Sequence, residues 1–182
     1  MTAARADEST QAVTLRETAQ IVEIIVIGMA QSGKSAFINT ISHATVWDGA
    51  EANSWLSGQL TVDDALTVYF LEPPPMKEFD FMWLRELVSE SSASGYIVLI
   101  DSTQSEYFGK SLSILQTIRS YHPTVPVVVA VTKQDVDGCW GSEDIRLGLR
   151  IPDNIPTLPC NTGDIESVKE VVLQLLYLVP GL

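Results

Sequence analysis

The sequence predicts an open, mostly parallel α/β sheet with helices on both faces. Three observations carry this reading. From residue 20 onward, short apolar runs alternate with amphipathic segments, the pattern of repeated strand–helix units. Residues 127–131 are almost entirely valine, as a strand covered on both faces requires. Each polar motif falls where one of the apolar runs ends, and sheets of this kind bind ligands beyond the carboxyl ends of their strands.

The elements follow in order. Residues 21–27 form a β-rich run ending at Gly28, and residues 35–42 read as a helix. Residues 66–71 alternate as a strand and break at Pro73-Pro74-Pro75; residues 80–89 are helical. Residues 96–100 are a buried strand ending at Asp101. Residues 109–121 carry apolar side chains at 112, 115 and 118, a helical spacing. After the valine strand, residues 144–149 form a short helix and residues 157–160 a short strand. Residues 164–179 form the last helix, with Asp164 as N-cap and Pro180 as stop. Residues 1–19 are polar and Ala/Thr/Glu-rich, a loosely ordered tail, which leaves 20–182 as one domain. Residues 44–60 read as a loop holding Trp47 and Trp55, which either anchor a partner or cover the sheet.

Composition narrows the class. Hydrophobic residues make up 46% and charged residues 19%, which is globular usage. The net charge of −12 repels nucleic acid and anionic membrane, and suits a soluble chain or one with a basic partner. Cys139 and Cys160 fit neither a zinc pattern nor a disulfide framework, which points to a reducing, cytoplasmic compartment. No leader, membrane-length apolar run, prenylatable cysteine or myristoylation glycine is seen, so no membrane anchor is expected.

Residues 28–35 read Gly28-Met29-Ala30-Gln31-Ser32-Gly33-Lys34-Ser35, the G-x-x-x-x-G-K-S pattern between a strand and a helix. Its glycines let the backbone curl so that successive N–H groups face phosphate oxygens, and the helix adds its positive end. The candidate contacts are Gly28, Gln31, Ser32, Gly33, Lys34, Ser35 and Ala36. Lys34 would reach the β- and γ-phosphates and Ser35 would place its hydroxyl on Mg²⁺. The alternative, a chance glycine-rich turn, does not require the flanking strand and helix.

After the valine strand comes Thr132-Lys133-Gln134-Asp135. The Asp135 carboxylate can accept two hydrogen bonds from guanine's ring N–H and exocyclic amine, a donor pair that adenine lacks. The Lys133 stem can pack along the base. Cys160-Asn161-Thr162-Gly163 would be the second base loop, offering backbone N–H groups to the guanine oxygen. Either stretch alone reads equally as a solvated turn; together with the phosphate loop they define one site.

On these motifs the chain resembles a small Ras-like GTPase over about residues 20–180, a P-loop NTPase fold. More narrowly it resembles the bacterial stand-alone small GTPases associated with Roadblock-domain proteins. Leu60-Thr61-Val62-Asp63-Asp64, Phe79-Asp80-Phe81-Met82-Trp83 and Asp101-Ser102 look typical of that group. The resemblance implies GTP and GDP binding with Mg²⁺, a conformational switch, and a protein partner of the Roadblock kind.

The departures are specific. Where the family carries D-x-x-G, this chain reads Glu72-Pro73-Pro74-Pro75. The family glycine gives its N–H to the γ-phosphate; proline has none. The following residue, where Ras-like enzymes place a water-orienting Gln, is Met76, whose thioether cannot do this. Glu72 can still approach Mg²⁺ through water. Neither Thr45 nor Thr61, at the start of a strand, matches the switch threonine. The expectation is nucleotide binding with weak GTP-over-GDP discrimination and slow or absent hydrolysis, or a pseudo-GTPase that no longer switches. Asp63 and Asp64 read as a turn, Trp83 as core, and His43 and His122 as helix-end residues.

Overall fold

The computed structural model describes residues 20–48, 54–74 and 80–182. The N-terminal tail, Pro75 and Met76 lie outside the described residues, so the readings made on them rest on sequence alone.

Seven strands form one sheet in the order β2-β3-β4-β1-β5-β6-β7. They are β1 (Gln20–Gly28), β2 (Ala44–Asp48), β3 (Trp55–Thr61), β4 (Leu66–Glu72), β5 (Gly95–Asp101), β6 (Val127–Thr132) and β7 (Thr157–Cys160). β1 pairs in parallel with β4 on one side and β5 on the other, and β5, β6 and β7 continue in parallel. Among the described residues four α-helices connect strands, α1 (Lys34–Ile41), α2 (Phe81–Glu90), α3 (Phe108–Tyr121) and α4 (Ser142–Gly148), and a fifth, α5 (Ile165–Leu176), follows β7.

The loop expected over residues 44–60 is corrected. Ala44–Asp48 and Trp55–Thr61 are antiparallel strands, with Trp47 opposite Leu56 and Asp48 opposite Trp55. β3 then runs antiparallel to β4, so Thr61 closes a strand instead of opening one. The reason is visible in β3, where alternate residues Leu56 and Gly58 are buried. A Cβ at Gly58 would lie 2.1 Å from Ser42 Oγ and 2.5 Å from Ile38 Cγ2, so glycine is what lets α1 press onto this strand. The β3–β4 turn is held by Asp63, whose Oδ1 accepts from the N–H groups of Ala65 and Leu66 at 2.8 Å each.

Alternation along the strands divides the core. Val22, Ile24, Val26, Phe70, Leu99 and Val128 face α1 and α5. Ile25, Ile27, Val98, Ile100 and Val129 face the helices of the other side, among them α2 and α3, with Trp83 half-buried against that layer. β5 and β6 are buried at every position, as strands covered on both faces must be. α5 ends at Leu176, so Pro180 lies beyond its end and is not its stop; Asp164 is its N-cap, accepting from Glu166 N–H.

The chain leaves β1 for β2, β3 and β4 on one side and crosses from β4 to β5 on the other, so a crevice opens beyond the carboxyl end of β1. Gly28 ends β1 at that point, and the loop to α1 occupies the crevice.

Candidate nucleotide site

The loop after β1 is built by close approach and unusual backbone angles. A Cβ on Gly28 would lie 2.5 Å from the Leu99 carbonyl oxygen and 2.7 Å from Ser32 Oγ, so only glycine lets the loop fold back on β5. Gln31 (φ 61°) and Gly33 (φ 96°) take left-handed conformations that turn the chain around. α1 then starts at Lys34 with no side-chain cap and no acidic residue in its first turn. α2 and α5, by contrast, start with aspartate caps. The first amides of α1, Lys34, Ser35 and Ala36 included, have no intrahelical acceptor, and its positive end is left for an anion. Ser32 is fully buried, and its hydroxyl has no partner among the described residues.

Lys34 and Ser35 converge on the end of β4. Lys34 Nζ donates to the Met29 carbonyl at 3.0 Å and lies 3.8 Å from Glu72 Oε1. Burial lowers the pKa of this ammonium, while the Glu72 carboxylate pulls it the other way. Ser35 Oγ donates to Glu72 Oε2 at 2.7 Å. One hydroxyl and one buried carboxylate thus stand together where the phosphate loop ends. Oxygen donors in this small number suit Mg²⁺, which takes one or two protein oxygens and completes its shell with phosphate and water. Among the described residues no group of three or more His, Cys, Asp or Glu could hold a metal by itself.

The base loops are tied to the phosphate loop. Thr132 is buried, and its Oγ1 donates to the Ser32 carbonyl at 3.0 Å across 100 residues of sequence. Its side chain therefore braces the loop, while Lys133 and Asp135 remain to meet a base. Lys133 adopts φ 59° and places Nζ 2.5 Å from Asp101 Oδ2. Burial raises the Asp101 pKa, but hydrogen bonds from Lys133 and Thr103 outweigh it and hold the carboxyl below its ordinary value. Gln134 closes the loop by donating to the Trp140 carbonyl at 2.9 Å. Asp135 is exposed and lines one groove with Gln134, Cys160 and Asn161, which brings the two base loops together.

The second base loop also touches the phosphate loop. Thr40 Oγ1 donates to the Thr162 carbonyl at 2.7 Å, and a Cβ on Gly33 would lie 3.0 Å from Thr162 Cγ2. The N–H groups of Asn161, Gly163 and Asp164 are engaged, by Ser167 Oγ, Asn161 Oδ1 and the Asn161 carbonyl. That leaves the Thr162 N–H as the amide of this turn without an acceptor among the described residues. Cys160 points into the core with 1% of its surface exposed, and burial pushes its thiol up to about 11. It can offer a ligand backbone only.

Sequence reasoning missed Asp101, Ser102 and Thr40 as parts of the site. Ser102 Oγ donates to the Thr132 carbonyl at 2.6 Å, holding the first base loop from below. A signal existed for Asp101, a lone carboxylate ending a wholly apolar strand. For Thr40, inside α1, there was none.

Sheet order, phosphate loop and flanking loops together define a Ras-like G-domain fold. Over 87% of this chain the structure matches 99% of the G domain of the T. maritima FeoB iron transporter, with a TM-score of 0.68 and 17% identity. The Arl6 BBS3 small GTPase from Trypanosoma brucei, solved with the nucleotide analogue GppNp, matches over 87% of this chain and 96% of its own, with a TM-score of 0.69 and 16% identity. In sequence the chain is similar to ADP-ribosylation factor-like protein 10 of Mus musculus, 26% identical over 129 residues, or 70% of this chain and 52% of that protein. The chain thus spans about half the length of this curated relative. No family model matches it. No described helix is long and apolar enough to cross a membrane.

Proposed function

We propose that this protein binds guanine nucleotide with Mg²⁺ as a small-GTPase-type regulatory protein whose GTP hydrolysis is slow or absent. The observation that carries it is the convergence of Lys34, Ser35 and Glu72 at the uncapped start of α1, braced by Thr132 from the loop that bears Asp135. In this reading the amides of residues 31–36 wrap the phosphates, Ser35 and Glu72 hold Mg²⁺, and Asp135 takes the guanine donor edge. The bound ion would supply charge neutralisation between phosphate oxygens. Similarity to an ADP-ribosylation factor-like protein, and structural likeness to an Arl6 solved with GppNp, support the nucleotide assignment. The Roadblock-type partner and the cytoplasmic location belong to the same reading and rest on family resemblance and composition.

Calorimetry with GDP, GTP and ATP in Mg²⁺ tests it. GDP and GTP should bind within a few-fold of each other and ATP far more weakly; ATP binding equal to GDP would remove the guanine assignment. Lys34→Ala should weaken every nucleotide by roughly ten- to a hundredfold, the value of one charge-assisted bond. Asp135→Asn should shift preference towards xanthosine nucleotides.

A second reading is a pseudo-GTPase interaction module, favoured by Pro75 and Met76 in the sequence. Partner affinity compared with GDP, GTP analogue and no nucleotide separates the two, because a ligand shifts a state only by its differential affinity. Pro75→Gly should raise the GTP-to-GDP affinity ratio if the missing N–H is what removes discrimination.

A further inference from the structure

Between α2 and α3, away from the phosphate loop, lies a groove of about 460 Å³ lined by Phe81, Arg85, Ser113, Thr117, Ser120 and Tyr121 among others. Arg85 is its chemical centre. The guanidinium carbon sits 5.9 Å from the Phe81 ring centroid and 6.0 Å from that of Tyr121, and Nε donates to Tyr121 Oη at 2.9 Å. Two rings and one hydrogen bond therefore hold the side chain in place. Among the described residues Arg85 makes no ion pair, although the chain carries 23 acidic residues against 11 basic. Its two terminal nitrogens keep a donor fork of the geometry that a carboxylate fills with both oxygens.

The opposite wall adds a constraint. Ser113, Thr117 and Ser120 each donate the hydroxyl proton to the carbonyl four residues back, those of Gly109, Ser113 and Gln116. Their oxygens keep lone pairs that accept, so a ligand with N–H groups beside its anion fits this wall, where Gln116 can donate or accept. A peptide brings N–H groups beside its carboxylate, and one carboxylate matches the one unpaired guanidinium locally; a phosphatidylserine-rich surface brings many negative charges to a chain of net charge −12. Apolar surface is also at hand, since Phe81 is 47% and Met82 68% exposed at the start of α2.

We propose that the α2–α3 groove docks an acidic peptide segment of a protein partner, with one Asp or Glu carboxylate on Arg85 and backbone N–H groups on the Ser113 and Ser120 hydroxyls. The site is separate from the nucleotide-binding reading and stands whether or not that reading holds.

The test uses the full chain. Random twelve-residue peptides are selected on immobilised protein, and the best binder is measured by fluorescence anisotropy against wild type, Arg85→Gln, Arg85→Lys and Phe81→Ala. Thermal unfolding of each variant checks that it folds. The selected peptides should share an Asp or Glu. Arg85→Gln should weaken binding at least tenfold, Arg85→Lys should restore only part, and amidating the shared peptide carboxylate should cost as much as Arg85→Gln with no further loss when combined. Peptides without a common acidic position, or equal binding to wild type and folded Arg85→Gln, would overturn the proposal. So would Arg85-dependent binding of inorganic phosphate or phosphatidylserine vesicles at strengths matching the peptide.

Discussion

Thr132 joins the two halves of the candidate nucleotide site with one hydroxyl, buried and directed at the Ser32 carbonyl. Thr132→Val keeps the shape and leaves that carbonyl without its donor, a change of about 1–1.5 kcal/mol. GDP and GTP affinity should therefore fall together by about tenfold in calorimetry, with the guanine preference intact. A change in base preference instead would mean that the side chain contacts the base. Asp101 is the partner that Lys133 uses, and its lowered pKa has a signed consequence. A carboxyl depressed in the folded state contributes stability above its unfolded value near 3.8, and that contribution is lost as pH falls through the lower folded value. Asp101→Asn should thus reduce the thermal midpoint at neutral pH, with the gap to wild type closing as pH falls below 3.8 and through the lowered folded value. Cys160 gives a third residue-level expectation. Its buried thiol, raised to about 11, should resist alkylation at pH 8 while half-buried Cys139 reacts, as mass spectrometry of native protein would record.

At the level of elements, helix ends are differentiated by what they must face. α2 begins at Asp80, whose Oδ1 accepts from Met82 N–H at 2.8 Å and Trp83 N–H at 3.2 Å, whereas α1 begins at Gly33 with nothing. Asp80→Ala should cost about 1 kcal/mol in urea unfolding and leave nucleotide affinity unchanged. The Asp164 cap of α5 was legible in the sequence, because a cap acts within three residues of chain, whereas the sequence reads Asp80 only as the first residue of its helix. The strand–helix alternation from β4 onward was legible too, with errors of one to three residues at element ends. The β2–β3 hairpin was not. Residues 44–48 carry no buried side chain among those described, so no alternation marked β2, and β3 is interrupted by Gln59 and the small Ser57 and Gly58. Their strand character comes from pairing, β3 with β4 and β2 with β3, with partners that a local pattern does not reveal.

In the molecule as a whole, the sheet sets the carboxyl ends of β1, β4, β5, β6 and β7 at one end and leaves the α2–α3 groove elsewhere. The acidic surface does not oppose the proposed phosphate binding, because the amides, one lysine and a helix end that would meet the phosphate act over a few ångströms. GDP with Mg²⁺ at a hundredfold over its dissociation constant should stabilise the fold by about 2.7 kcal/mol, read as a concentration-dependent rise in thermal midpoint. An unchanged midpoint would contradict the binding assignment. By itself the sequence determined the α/β class, the G-x-x-x-x-G-K-S pattern between a strand and a helix, and the Asp164 cap, because each is written in contiguous residues whose physics is local. Only the tertiary structure decided that Glu72 meets Ser35 across 37 residues, that Thr132 braces Ser32 across 100, and that Lys133 pairs with Asp101. Those contacts depend on strand order and register, which are set by how whole faces pack against one another, and side-chain periodicity along one strand carries no record of its neighbour.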